Sequence, residues 1–305
     1  NTLDANWDDL ITAPGEPFFN RVLQGQYQPG GILQTPLLAA GLLANYDLSR
    51  PVPDATQPVT VGDVTLRCAS VPALDVLTTL QAYAYNCPYP FEQLIEALPD
   101  ASINAIFEAL QLDQPPALVG FVAEQPDAEE AEPDAAEVTP EATASSQRAN
   151  ALGQGNLRVN PLAMAALSAA IVNDGNAPHP HALQAVRPPE SDTDAWQSVT
   201  FQQPGQAMLT AAVAGLLRAT MQENLPVGVA RSDQRDDMQI GGHAALAYSG
   251  ETTQAWFIGF IIVQGRLGAG VAIVLEDSSD LSRVAEIGGI ALAAAHDALI
   301  PHPSP

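Results

Sequence analysis

Histidine, serine and acidic residues occur in two combinations whose types could support chemistry. His243, Ser249 and Glu251 have the residue types of a Ser-His-acid set, in which a histidine base activates a serine nucleophile. Ser249 and Glu251 fall on a Ser-Gly turn signal between two apolar runs, so we expect an ordinary loop there. His179 and His181 could bind a metal, but a proline separates them and no third ligand lies nearby. We therefore expect no catalytic set, metal or other cofactor at these positions.

The two cysteines, Cys68 and Cys87, are 19 residues apart and have no metal-ligand spacing around them. In an oxidising compartment they could close a loop, which would stabilise the fold by about 3 kcal/mol. Cysteine is also a frequent buried residue without any bond to a second thiol. The residues alone leave both interpretations open.

The chain contains no lysine, and all eleven of its basic residues are arginine. Against 35 acidic residues these give a formal net charge of -24. Proteins hold nucleic acids and anionic membranes with clustered Lys and Arg, so this charge argues against either partner. No apolar run approaches the roughly 20 residues that span a bilayer, so any membrane anchor is expected in sequence outside this chain.

Apolar periodicity predicts helices in the first two thirds of the chain and strands in the last third. The predicted helices are 37–44, 71–85, 90–98, 101–112, 162–173 and 206–223. Thr35 and Asn160 are suitable N-caps, each followed by a proline that fits a first helical turn. The predicted strands are 239–248, 254–263 and 268–276, which form an antiparallel meander before a closing helix at 280–299. This order indicates an α+β fold.

We expect one domain over 1–305, with a helical layer at about 36–120 and 160–223 and a sheet with its helix at about 239–299. Within 123–141 there are eight acidic residues and no basic or aromatic ones. Such a segment buries too little apolar surface to offset its ordering entropy, so 123–149 is predicted to be a disordered acidic insertion. A docking tail for a basic partner is the alternative.

Several segments, in order, resemble the transpeptidase domain of penicillin-binding proteins, a family that shares its fold with serine β-lactamases. They are Phe-Asn-Arg at 19–21 with Gly-Gln-Tyr-Gln-Pro-Gly at 25–30, Gly-Gln-Gly at 153–155 with Asn-Pro-Leu-Ala-Met-Ala at 160–165, and Ala-Trp-Phe-Ile-Gly-Phe at 255–260. The resemblance implies an antiparallel sheet flanked by helices, beside an all-helical subdomain. It also implies a compartment outside the cytoplasm, which favours the Cys68 to Cys87 disulfide.

The family's first motif, S-x-x-K, supplies a serine nucleophile and a lysine one helical turn later. In this sequence the corresponding positions are Gly31 and Gln34. Glycine carries no nucleophile, and the amide of glutamine is not a base near neutral pH.

The other two motifs also differ from the family pattern. The position of S-x-N is taken by Asn86, Cys87 and Pro88. The position of K-T-G is taken by Gly242 (or the preceding glycine), His243 and Ala244, so a titratable histidine replaces the cation and hydroxyl. We call these eight residues the motif positions: Gly31, Gln34, Asn86, Cys87, Pro88, Gly242, His243 and Ala244.

From these changes we expect a pseudoenzyme rather than an enzyme. Its expected role is that of an accessory or protein-interaction subunit of a cell-envelope complex, in the periplasm or on the outer face of the cytoplasmic membrane. The partner is expected to be a protein, and membrane anchoring is expected only through sequence outside this chain. The alternatives are a noncovalent binder of peptidoglycan stem peptides and an enzyme with different chemistry in the same cleft.

Overall fold

A computed structural model describes residues 6–13, 15–112, 114, 118, 140–181, 183, 185–187, 196–199, 205–226, 228–229, 237–265 and 267–300. Helices in these ranges are α1 (Trp7–Ile11), α2 (Gln34–Leu43), α3 (Thr79–Ala84), α4 (Pro88–Ala97), α5 (Asp100–Ala109), α6 (Pro140–Ala151), α7 (Pro161–Val172), α8 (Ala211–Glu223) and α9 (Leu281–Leu299). The strands are β1 (Pro51–Val52), β2 (Val59–Val61), β3 (Val64–Leu66), β4 (Leu77–Thr78), β5 (Asn176–Ala177), β6 (Ala185–Val186), β7 (Gln197–Ser198), β8 (Gln206–Ala207), β9 (Met238–Ser249), β10 (Thr252–Val263) and β11 (Leu267–Leu275).

The main sheet is an antiparallel meander of the three longest strands, in the order β11-β10-β9. Trp256 of β10 lies opposite Ala245 on one side and Val274 on the other. Because side chains alternate along a strand, Trp256 and Phe260 enter one core while Phe257 enters the other. The predicted meander and the α+β class are confirmed.

Two helices cover the two faces of this sheet. Helix α7 packs on β10 and β11, and α9 packs on the opposite face across all three strands. Asn160 accepts from the backbone N–H of Leu162, which confirms its predicted capping of α7. Asp280 likewise caps α9 by accepting from the N–H of Arg283.

Three predicted helix starts are wrong. The predicted helix 71–85 begins only at Thr79. Leu77 and Thr78 form β4, and Thr78 also forms a capping box with Gln81 that begins the helix. The predicted helix 206–223 begins at Ala211, since Gln206–Ala207 pairs with β5. Helix α2 begins at Gln34 with no side-chain cap, and the predicted cap residue Thr35 bonds to Tyr83 instead.

Part of the predicted disordered insertion is ordered. Residues 140–149 belong to α6, so the prediction of disorder over 123–149 is wrong for that part. Pro140 suits a first helical turn, and the alanine, glutamine and arginine after it favour helix, which the composition argument did not weigh. Residues 123–139 lie outside the described residues.

The helical layer is tied together by a disulfide between Cys68 and Cys87. Cys87 is fully buried and directly precedes α4. No helix among the described residues is both long and apolar enough to cross a membrane.

Candidate functional site

The segment leading to Gly31 is fixed against the main sheet. The backbones of Tyr27 and Val159 exchange hydrogen bonds of 3.0 and 2.9 Å. Trp256, fully buried, donates from Nε1 to the carbonyl of Gln28 at 2.9 Å. The Gln28 side chain in turn donates to the carbonyl of Gly153 at 2.6 Å. These bonds place Gly31 at the junction between the sheet and the helical layer.

The structure brings one position from each of the three motifs together at this junction. A Cβ on Gly31 would lie 2.9 Å from Nδ2 of Asn86 and closer still to its Oδ1. His243 places its Nε2 at 3.4 Å from the carbonyl oxygen of Gly31, so the Nε2–H tautomer donates to that oxygen. The space of a side chain at position 31 is therefore filled by the side chain of Asn86.

Gln34 and Pro88 line a cavity of about 30 Å³ beside Gly31 and Asn86. A volume of this size holds one or two water molecules, whereas ligand pockets are usually about 300–1,000 Å³. Gln34 is only 4% exposed, and its Oε1 has no hydrogen-bond partner among the described residues. We call this set, Gly31, Gln34, Asn86, Pro88 and His243, the junction site.

The side chains of the remaining motif positions do not belong to the junction site. A Cβ on Gly242 would meet the ring of Phe257 at 2.7 Å, on the α9 side of the sheet. Ala244 packs in the same α9 core, because it lies on the same strand face as Gly242. Cys87 is fully buried in the disulfide. Because side chains alternate along the strand, His243 is the one residue of the third motif whose side chain faces the junction site.

Tyr83 completes the site, and the sequence analysis did not identify it. Its ring stacks on that of His243 at a centroid distance of 3.9 Å and an interplanar angle of 13°. Its hydroxyl forms a 2.7 Å hydrogen bond with that of Thr35, and both residues are fully buried. Tyr83 lies on α3, three residues before Asn86, and nothing in its local sequence signals a stack with a residue 160 positions away.

Burial controls the protonation of both stacked rings. It lowers the pKa of His243 to about 3, and the hydrogen bond to the Gly31 carbonyl offsets this only in part. Burial also raises the pKa of the Tyr83 hydroxyl, and the hydrogen bond with Thr35 opposes the shift. Both groups are therefore neutral at pH 7, and His243 is a weak base.

The Ser-His-acid combination is not assembled. His243 lies opposite Ile258 in the sheet, while Ser249 lies opposite Thr252 at the far end of the strand. Six residues of strand separate the two by roughly 20 Å. His179 and His181 are both among the described residues. Within that part of the chain, no group of three or more histidine, cysteine, aspartate or glutamate side chains could hold a metal ion.

A double-mutant cycle tests the packing of Gly31 against Asn86. Gly31→Ala is expected to lower the free energy of unfolding by about 1–2 kcal/mol, since the new methyl group must displace the Asn86 side chain. Asn86→Gly removes that side chain at a backbone φ of +52°, which glycine tolerates. Urea denaturation of both single variants and the double variant should therefore show most of the loss recovered in the double variant. Purely additive effects would contradict the contact.

Comparison with known proteins shows which family this architecture resembles. The family described as penicillin binding protein transpeptidase domain matches residues 2–288. The chain is 26% identical over 311 residues to peptidoglycan D,D-transpeptidase PbpA of Mycolicibacterium smegmatis, covering 94% of the chain and 57% of that protein. PbpA of Mycobacterium tuberculosis is 26% identical over 308 residues with the same coverage. The chain thus spans a little over half the length of these curated relatives.

Solved structures agree on the fold. The crystal structure of PBPA from Mycobacterium tuberculosis superposes with a TM-score of 0.77 at 21% identity, covering 97% of this chain and 66% of that one. The D,D-transpeptidase domain of a peptidoglycan glycosyltransferase from Eggerthella lenta gives 0.75 at 17% identity, covering 97% and 72%.

These relatives correct one prediction. The sequence analysis expected a pseudoenzyme, but the proteins that match 94% of the chain are named peptidoglycan D,D-transpeptidases, which are enzymes. The prediction that this chain is not an enzyme is therefore wrong. The family match over 2–288, supported by the α+β architecture, shows that the chain belongs to the penicillin-binding protein transpeptidase domain family.

Proposed function

We propose that this transpeptidase-fold domain acts in the cell envelope as an accessory subunit that contacts other proteins through its outer surface. The observation that carries the proposal is the closed junction site, which leaves the outer surface as the place where other proteins can be contacted. Asn86 fills the side-chain space of Gly31, and the remaining cavity of about 30 Å³ is too small for a peptide. The envelope location is proposed from the relatives, which are named for action on peptidoglycan.

The rival role, noncovalent binding of peptidoglycan stem peptides in the cleft, is less well supported by the geometry. A peptide carboxylate needs a cation or several hydrogen-bond donors. At the junction site the group that could become a cation is His243, which is neutral, buried and stacked on Tyr83. None of the arginines that the structure describes lines the small cavity beside Gly31.

Recovery of the tagged, full-length protein from native membranes tests the accessory role. After mild chemical crosslinking, mass spectrometry should find other envelope proteins bound in fixed ratio to it. An unrelated acidic domain with the same tag, expressed in the same compartment, is the control for charge-driven capture. Recovery of the protein alone, at the level of the control, would contradict the proposal.

Calorimetry separates the two roles. Titration with a synthetic stem peptide ending in D-alanine should give no saturable heat, because the cavity beside Gly31 does not admit it. Saturable binding that Gln34→Leu abolishes would support the stem-peptide role instead.

A further inference from the structure

A groove on the helical layer shares no described lining residue with the cavity beside Gly31, and it has the size of a ligand pocket. It lies among the end of α4, the exposed side of α5 and the C-terminal half of α6, with a volume of about 420 Å³. Its floor is apolar and is formed by Ile95, Ile103 and Phe107. Ile95 and Ile103 are buried and Phe107 is half-buried, so the floor is fixed by the core beneath it.

Among the described residues that line this groove, the charged ones are Asp100 and Glu108, and both are acidic and exposed. Neither carboxylate forms an ion pair with a described residue. Arg148 of α6 is engaged elsewhere, in an ion pair with Glu92. Asp100 and Glu108 are eight residues apart on one helix, which separates their Cα atoms by about 12 Å along the groove.

An apolar floor between two carboxylates that pair with no described residue suits one type of side chain. Arginine and lysine carry an aliphatic stem that packs on apolar surface and a cation that stays at the rim. The net charge of -24 adds a long-range attraction for a basic partner and repels an acidic one. A purely apolar partner segment would leave both carboxylates to be desolvated without compensation.

We propose that this groove docks a basic segment of a protein partner, with arginine or lysine stems on Ile103 and Phe107 and their cations at Asp100 and Glu108. The inference rests on the proposed accessory role and specifies the chemistry of its partner. Two basic side chains about 12 Å apart would engage both carboxylates at once.

Methyl NMR with a defined probe tests the groove directly. Protein labelled at isoleucine methyl groups is titrated with N-acetyl-arginine amide, and separately with N-acetyl-citrulline amide, which has nearly the same shape but no charge. We expect saturable shifts at Ile95 and Ile103, with the citrulline probe about fivefold weaker. Equal binding of the two probes, or shifts that do not include these methyl groups, would overturn the proposal.

Matched variants test the groove independently of the accessory role. The pair Asp100→Asn with Glu108→Gln should weaken the arginine probe about fivefold, whereas Asp63→Asn with Glu251→Gln, at two exposed turns, should not change it. If the groove variants bind arginine like the parent protein, the groove proposal is wrong. Partner recovery from membranes would then still decide the accessory role independently.

Discussion

Replacing Gly153 with alanine is expected to lower the free energy of unfolding by about 3 kcal/mol or more. Gly153 has a φ of +71°, where a side chain is strained. Its added Cβ would also lie 2.6 Å from Cα of Gly30 and closer to the Gly30 carbonyl oxygen. Backbone atoms cannot rotate away as a side chain can, so the two glycines would have to move apart. Their separation would break the 2.9 Å hydrogen bond that the N–H of Gly30 donates to the carbonyl of Gly153.

Gly62→Ala provides the matched control. Gly62 has a φ of +56° in the turn between β2 and β3, but no atom lies within 4 Å of a Cβ built there. This variant should lose only the backbone cost of about 1 kcal/mol. Chemical denaturation of both variants thus separates the strain from the clash. A loss at Gly153 no larger than at Gly62 would show that the segment 25–31 does not depend on this contact.

Acid is expected to destabilise the protein through His243. The folded-state pKa is about 3, against about 6.5 in the unfolded chain. Between these values the unfolded chain binds a proton that the folded protein does not, so the free energy of unfolding falls as the pH falls. Well above pH 6.5 the free energy of unfolding does not depend on this titration, and about 3 kcal/mol of it should be lost by pH 4.5.

Two substitutions that remove the titration test this assignment. The free energies of unfolding from urea denaturation at pH 7 and at pH 4.5 should differ by about 3 kcal/mol less in His243→Phe than in the parent protein. Phenylalanine keeps a ring to stack on Tyr83, and His243→Gln removes the titration without an aromatic ring. If both variants keep the full acid sensitivity, His243 is not the group responsible.

The sequence predicted the main elements because their signals are local. Strict apolar runs located β9 to β11, and Asn160 before Pro161 located the start of α7. Two helix boundaries were misplaced where a local signal competed with pairing. Apolar residues at 71–76 suggested a helix, yet Val71 is 92% exposed and Leu77 pairs with Val52. Such pairing between distant segments leaves no trace in a periodicity.

The site was only partly predictable. The resemblance assigned Gly31, Asn86 and His243 to separate motifs, and the structure brings them into one junction. The direction of His243 follows from strand alternation, which also directs Gly242 to the opposite face. The stack on Tyr83 could not be inferred, because it is a contact between α3 and β9, which are 160 residues apart in the chain at this point. The expectation of a pseudoenzyme weighed the motif residues alone, and the relatives, which are named as D,D-transpeptidases, contradict it.

The most direct measurement is quantitative crosslinking of the full-length protein in native membranes, with and without Asn86→Gly. This substitution removes the side chain that fills the space at Gly31, at a φ that glycine accepts. The account predicts the same envelope proteins in the same ratio to both forms, because the proposed contacts lie on the outer surface. Loss of the partners in a folded Asn86→Gly protein, or recovery of the parent protein alone, would contradict it.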